Sequence, residues 1–158
     1  MKKNHLANNL RKRSNSGLTL VELIIAMAIV AVLASIAIPA YKDYQEKARI
    51  AQAVHDMAHI SIKLGQYWQD ARTYPDTLGQ IGLATIDPWG SPYQYYNIEK
   101  NGIGHARKDR KLNPLNTDFD LYSKGKDKAS MQQLTNKKSL DDVIRANDGK
   151  FMDLAEKY

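Results

Sequence analysis

Residues 18–38 form an apolar run that contains a single charged side chain, Glu22. As an α-helix these 21 residues would extend about 31 Å, which matches the ~30 Å hydrocarbon core of a lipid bilayer. A carboxylate costs roughly 2.5 kcal/mol or more at the bilayer centre, and less towards the interface where Glu22 would lie. An ionisable residue in such a segment indicates a function when a partner for its charge can be named. The run therefore predicts one membrane-spanning helix with a functional carboxylate near its start.

A partner for Glu22 exists if the chain is cut between Gly17 and Leu18. The α-amino group created on Leu18 would be mostly protonated at neutral pH, because α-amino groups have pKa values of about 7.7–8.0. Residues 1–17 hold five of the 23 basic residues and none of the 17 acidic ones, so the rest of the chain has a net charge of only +1. By the positive-inside rule this basic leader stays in the cytoplasm, and the residues after Pro39 lie across the membrane.

The basic leader, the sequence GLTLVE at residues 17–22, the apolar run and Pro39 together resemble the N-terminal signal of type IV pilins and pseudopilins. The resemblance implies that a prepilin peptidase in the membrane cuts between Gly17 and Leu18 and methylates the new N-terminus. It also implies that subunits pack their apolar helices into a homo-oligomeric filament, in which we expect Glu22 to pair with the amino group of a neighbour. The family usually has Phe where this chain has Leu18. The alternative interpretation is an ordinary signal anchor in which Glu22 is incidental.

The helical pattern continues beyond the apolar run to about residue 68. Apolar positions with one polar interruption recur there at spacings of three and four: Ile50, Val54, Met57, Ser61, Leu64 and Trp68. Pro39 has no N–H to donate to the preceding turn, so we expect the helix to kink or open locally there. The first half of such a helix is suited to lipid or a filament core, and the amphipathic second half is suited to packing on a globular domain.

A small antiparallel sheet of about three strands is predicted after the helix. Aromatic residues at 93–98 indicate one strand, and the dipeptide Asn101-Gly102 indicates a hairpin whose returning strand is 105–107. Residues 118–123 indicate a further strand. The sequence thus predicts an α+β protein in which a long N-terminal helix packs on a small antiparallel sheet, as in the pilin fold.

The end of the chain, residues 140–158, is expected to form a short terminal helix or strand, divided at Asp148-Gly149. The predicted domain organisation follows from these segments. It comprises a cleaved cytoplasmic leader at 1–17, a transmembrane and filament-core helix at 18–39, and a periplasmic globular domain at 40–158.

Two stretches resemble the major, G-type pseudopilin of type II secretion, namely DPWGSPYQY at residues 87–95 and DFDLYSKGKD at residues 118–127. In that family the second stretch belongs to a loop that binds one calcium ion. The resemblance implies a ligand set of two carbonyl oxygens and two carboxylates, from Leu115, Ser123, Asp118 and Asp127. Calcium prefers six to eight hard oxygens of this kind. The chain has no cysteine, so no disulfide can hold the domain together, and an ion would be an alternative.

The alternative for this loop is an acidic and lysine-rich surface without a metal. Lys126 and Lys128 would weaken calcium binding by repulsion, or would replace the ion as counter-charges. Asp120 is not part of this ligand set, because it can instead brace the strand.

Other candidate sites are weaker. His55 and His59 have a spacing that can hold a transition metal on a helix, but no third ligand is evident nearby, which favours ordinary surface or packing histidines. The basic run at residues 107–111 is best interpreted as a solvated loop, so we expect no nucleic-acid partner. The sequence contains no recognisable nucleophile–base pair, phosphate loop or paired-carboxylate site, which favours a structural protein over an enzyme.

The predicted function is that of a structural subunit of the type II secretion pseudopilus, a single-pass inner-membrane protein whose C-terminal domain is periplasmic. Its expected partners are copies of itself, other minor pseudopilins, prepilin peptidase and an inner-membrane assembly platform. The alternative is a type IV pilus pilin that serves adhesion, motility or DNA uptake. The lack of a C-terminal cysteine pair and the stretch at 87–95 favour the pseudopilin. A monomeric, membrane-anchored binding domain is a third class, in which Glu22 would be incidental.

Overall fold

The computed structural model describes residues 17–158, so all of the predicted leader except Gly17 lies outside it. The chain forms a long helix, α1, a one-turn helix, α2, and four strands. Their bounds are α1 (Leu20–Ala71), β1 (Gln94–Asn97), α2 (Ile98–Asn101), β2 (Phe119–Ser123), β3 (Val143–Ala146) and β4 (Phe151–Leu154). Short 3₁₀ helices lie at Leu78–Ile81, Lys137–Ser139, Asn147–Gly149 and Ala155–Lys157. The predicted α+β class is confirmed.

The chain divides into two compact units, one ending at Lys42 and the other spanning Asp43–Tyr158. In the first unit α1 continues through Pro39 without losing its helical structure, so the local opening expected there is absent. A proline removes a single N–H from the hydrogen-bond ladder, and the remaining bonds keep the helix continuous.

The part of α1 in the second unit buries the face that the sequence predicted. Met57 and Leu64 are fully buried, and Ile50 and Val54 pack against them at the edge of the core. Ser61 is the one polar residue among the predicted positions. Its hydroxyl donates to the Met57 carbonyl (2.8 Å) and so needs no further partner. Two further residues on this face, Ala53 and Ile60, are also buried, although they were not among the predicted positions.

The sheet has the strand order β1-β2-β3-β4, and every neighbouring pair is antiparallel. β1 and β2 lie where the sequence predicted strands, and Tyr95 faces Leu121 across them. The prediction of about three strands was wrong in number, because the end of the chain supplies two strands, β3 and β4.

The predicted hairpin at Asn101-Gly102 was wrong. The chain after β1 enters α2 instead, because the Asn97 side chain accepts the N–H of Lys100 (2.9 Å) and caps a helical turn. The partner of β1 is β2, and residues 105–107 belong to a long connection between these strands rather than to the sheet. A side chain that caps a turn can thus override a dipeptide that favours a hairpin.

The end of the chain forms the hairpin of β3 and β4, in which Val143 faces Leu154. The turn lies at the predicted division, and its residues Asn147, Asp148 and Gly149 all have positive φ angles of 52°, 53° and 89°. Glycine, asparagine and aspartate are the residues that tolerate this left-handed region, so the sequence is suited to the turn.

Both faces of the sheet are covered. One core holds the buried face of α1 together with Phe119, Leu121 and Val143. A second core, which the sequence did not reveal, packs Ile144 of β3 against loop residues on the other face. Its buried members are Leu115, Leu134, Ile144, Ala146 and Ala155. Val143 and Ile144 are adjacent and point to opposite faces, as strand geometry requires.

We predict that Leu134→Ala destabilises the protein by about 2–4 kcal/mol, the usual range for a buried leucine replaced by alanine. Leu134 is 5% exposed, whereas the control residue Leu112 is 55% exposed and lies in the preceding connection. Leu112→Ala should change stability by less than about 0.5 kcal/mol, as surface substitutions usually do. Urea unfolding of the full chain in detergent micelles, followed by tryptophan fluorescence, measures both. Equal stabilities of the two variants would show that the second core does not exist.

Candidate functional site

The first turn of α1 is built as a capping box, which places Glu22. Thr19 precedes the helix, and its carbonyl accepts the N–H of Leu23 (3.2 Å) while its hydroxyl accepts the N–H of Glu22 (3.2 Å). In return the Glu22 carboxylate accepts the backbone N–H and the hydroxyl of Thr19, both at 2.8 Å. This is the Thr-x-x-Glu pattern, in which each side chain accepts a free backbone N–H of the other residue at the helix start. This role of Thr19 was not predicted, although the pattern is visible in the sequence.

The predicted cleavage point lies just before this turn. A side chain at Gly17 would meet no atom within 4 Å, so the packing of the described residues does not require glycine there. Leu18 is 81% exposed. Both observations agree with a glycine that is selected by an enzyme acting on the chain. Cleavage between Gly17 and Leu18 stays a prediction, as does methylation of Leu18.

The apolar run forms an exposed surface along the first unit. Every large apolar side chain between Leu20 and Ile38 is more than half exposed. α1 is the one helix among residues 17–158 that is long and apolar enough to cross a membrane. Apolar area costs about 25 cal/mol per Å² in water, so such a surface requires lipid or other protein around it.

A tight turn after α1 connects the helix to the sheet in the second unit. Asp87 accepts the N–H groups of Trp89 (3.1 Å) and Ser91 (2.8 Å) with one carboxylate oxygen and the Ser123 hydroxyl (2.5 Å) with the other. The Trp89 indole N–H donates to Glu46 on α1 (3.0 Å). The stretch that carried the resemblance to the G-type pseudopilin therefore ties β2 to the helix.

The four residues predicted to hold calcium do not come together. β2 lies between Asp118 and Ser123, and a strand rises about 3.3 Å per residue, so their α-carbons are about 16 Å apart. Calcium binds its oxygen ligands at about 2.3–2.6 Å. The Leu115 carbonyl accepts the N–H of Asn147 (2.8 Å), and the Asp127 carboxylate accepts a backbone N–H two residues further on (2.7 Å). In this arrangement the four residues do not fit one ion.

An arginine occupies both carboxylate oxygens of Asp118. The Arg145 guanidinium donates to them from Nη1 and Nη2, each at 2.7 Å, and its Cζ lies 4.0 Å from the centre of the Phe119 ring. Within residues 17–158 no group of three or more histidine or acidic side chains is placed to hold a metal ion. Calcium binding stays a prediction, which melting temperatures of the chain with calcium and with a chelator would measure directly.

A second buried arginine links the loops. The Arg107 guanidinium donates to Asp142 (2.6 Å), and both side chains are buried. The Ser130 hydroxyl donates to the same Asp142 oxygen (2.6 Å). Burial raises the pKa of Asp142 to about 6, although the charge of Arg107 lowers it. The Arg107 guanidinium and the Ser130 hydroxyl favour the ionised form of Asp142, in which the carboxylate forms an ion pair with Arg107.

Arg107 was predicted to lie in a solvated loop, and no role was predicted for Arg145. In the structure these arginines, rather than the lysines considered as counter-charges, pair with carboxylates of the domain: Arg107 with the buried Asp142, and Arg145 with the partly buried Asp118. The partners Arg107 and Asp142 are 35 residues apart, so no local pattern could have revealed the pair.

Comparisons with known proteins agree with the N-terminal site. A family model described as the prokaryotic N-terminal methylation motif matches residues 12–38. The type II secretion system core protein G of Pseudomonas aeruginosa is 26% identical over 140 residues, which cover 75% of this chain and 88% of that protein. Core protein G of Aeromonas hydrophila is 31% identical over 107 residues, covering 54% and 75% of the two chains. No solved structure is a significant match.

A pilus protein matches as well. The type IV major fimbrial protein FimA of Dichelobacter nodosus is 31% identical over 153 residues, which cover 93% of each chain. A secretion protein and a fimbrial protein thus match at the same identity, so the comparisons give the family but not the role within it. On these similarities and the matched motif, the chain belongs to the type IV pilin-like family of pilins and pseudopilins.

Proposed function

We propose that this protein is a non-enzymatic structural subunit that polymerises from the inner membrane into the pseudopilus of a type II secretion system. The observation that carries the proposal is the exposed apolar surface of α1, with Glu22 in the first turn of the helix, in a chain of this family. Such a surface is suited first to lipid and then to the core of a filament. The family supports filament assembly in general terms, and the secretory role is our finer proposal.

The proposed topology follows from charge and length. The basic leader stays in the cytoplasm, residues 18–39 cross the membrane once, and the residues from 40 onward fold in the periplasm. Prepilin peptidase, an inner-membrane assembly platform, other pseudopilins and copies of this chain are the partners that this pathway requires.

The turn at residues 87–92 supports the secretory role. Hydrogen bonds to Ser123 and Glu46 give the stretch DPWGSPYQY a structural role, because they connect β2 to α1. This stretch is one of the two that resemble the G-type pseudopilin. The alternative is a type IV pilus pilin, which the match to the fimbrial protein of Dichelobacter nodosus supports.

Deletion of the gene tests the role. For a pseudopilin we expect secreted proteins to accumulate in the periplasm while surface motility stays normal, and a plasmid copy of the gene should restore secretion. Normal secretion together with loss of motility or adhesion would contradict the secretory role and establish the pilin alternative.

The predicted cleavage site gives a second test. Gly17→Phe should leave uncut precursor in the membrane, because a peptidase site close to the bilayer has little room for a bulky side chain beside the scissile bond. Ser14→Phe places the same bulk three residues earlier and should still be cut. Intact mass measures both variants, and removal of residues 1–17 from Gly17→Phe would contradict the prediction.

The role of Glu22 in assembly can be separated from its role as a helix cap. Glu22→Gln removes the charge, but glutamine at this position can still complete a capping box with Thr19. If Glu22 pairs with the amino group of a neighbouring Leu18, this variant should insert into the membrane and fail to form filaments, because an unpaired charge in a dry environment costs several kcal/mol.

Thr19→Ala is the matched control, since it removes the cap and retains the charge. We expect it to assemble, with helix stability reduced by about 1 kcal/mol. Filament yield by electron microscopy and shearing, normalised to membrane-inserted subunit, compares the variants. Normal filaments from Glu22→Gln, with failure in Thr19→Ala, would show that helix capping and not charge pairing makes Glu22 necessary.

A further inference from the structure

Two histidines lie one helical turn apart on α1 in the second unit. His55 and His59 are both exposed, and the side chain of His55 is 85% exposed. Both line a groove of about 650 Å³, whose other wall is formed by residues 83–86. The two imidazoles therefore share one side of the helix and one open space.

The spacing of the pair is suited to chelation. Residues four apart on a helix have Cβ atoms about 5–6 Å apart. Two nitrogens bound to one tetrahedral zinc ion lie about 3.3 Å from each other, because each Zn–N bond is about 2.0–2.1 Å. Two imidazoles one turn apart can converge to this distance by side-chain rotation alone, as they do in metal sites built on a single helix.

Asp56 adds a second, independent feature. Its Oδ1 lies 3.8 Å from Nδ1 of His55. Its Oδ2 accepts the hydroxyl of Tyr93 (3.0 Å). Tyr93 lies outside the helix, so this bond holds the Asp56 carboxylate in place from a second segment of the chain. Histidines that bind metals commonly donate their second ring N–H to a carboxylate, which orients the ring and makes it a better ligand. At 3.8 Å the two atoms are not hydrogen-bonded, but a small rotation of the exposed His55 ring would let Asp56 accept its Nδ1–H and so direct Nε2 towards the metal.

We propose that His55 and His59 chelate one Zn²⁺ ion, or another borderline transition-metal dication, with Asp56 as a positioning residue for His55. The protein supplies two of the four ligands, and water or a donor from another molecule fills the remaining positions. Lys63 lies one helical turn beyond His59, and its positive charge would repel a metal ion bound at the site.

Zinc titration of the full chain tests the site. The protein is purified in detergent without a polyhistidine tag, and binding of Zn²⁺ is followed by calorimetry. We expect one ion per chain, and we expect His55→Gln or His59→Gln to weaken binding at least tenfold. Asp56→Asn, which can still accept the Tyr93 hydroxyl, should weaken binding about tenfold without changing the metal-free melting temperature.

His105, an exposed histidine outside the helix, provides the matched control. His105→Gln should leave zinc affinity unchanged, and Lys63→Gln should increase it. Wild-type protein that binds no zinc, or that binds it equally well after loss of both His55 and His59, would overturn the proposal. An unchanged affinity in Asp56→Asn would overturn the positioning role.

Discussion

Arg107 connects three separate parts of the globular unit. Its backbone N–H donates to Asp120 on β2 (2.6 Å), and its guanidinium donates to Asp142, immediately before β3 (2.6 Å). The same guanidinium lies 4.0 Å from the centre of the Tyr122 ring. The long connections on either side of β2 are thereby held against the sheet. Loss of one partner of such a buried pair typically costs about 3–5 kcal/mol, because the other charge stays buried.

This interaction explains how a domain without cysteine retains long loops. The second core packs Ile144 and Ala146 of β3 against Leu115 and Leu134 from the two long connections, and the Arg107–Asp142 pair links the same connections. At the other end of β2, the pair of Arg145 and Asp118 includes a residue that the resemblance implied as a calcium ligand. A fixed guanidinium and a divalent cation are alternative ways to neutralise a carboxylate at a strand end.

The sequence predicted those features of the fold that depend on local periodicity. The buried face of α1 follows from the spacing of Met57 and Leu64, and β1 and β2 follow from aromatic and alternating residues. Two features were not predicted, for different reasons. The cap that Asn97 gives to Lys100 is local, but it competes with the hairpin signal of Asn101-Gly102, and the sequence does not show which of the two prevails. Ile144 belongs to a core whose other members are spread along the chain, so no local pattern could reveal it.

In the candidate site, too, some features follow from the local sequence and others do not. The apolar run and Glu22 were recognisable from sequence, because hydropathy and a lone charge are local properties. The capping bonds of Thr19 are also local, and the Thr-x-x-Glu pattern is sufficient to predict them. The placement of Asp118 and Ser123 at opposite ends of β2 depends on where the strand begins and ends, which the resemblance did not fix.

The energetics of a membrane helix are the reason that we propose a role in assembly for one carboxylate. Lipid tails are as apolar as leucine, so moving the first half of α1 from lipid into a filament core gains little from the hydrophobic effect. Packing and polar contacts must then supply the preference for the filament. In a single chain Glu22 bonds to the capping groups of Thr19, whereas the proposed filament would also offer the charged N-terminus of a neighbour. A fixed register would follow, because only subunits displaced by one particular step would bring that amine to Glu22, and the many apolar contacts along the helix cannot distinguish one step from the next.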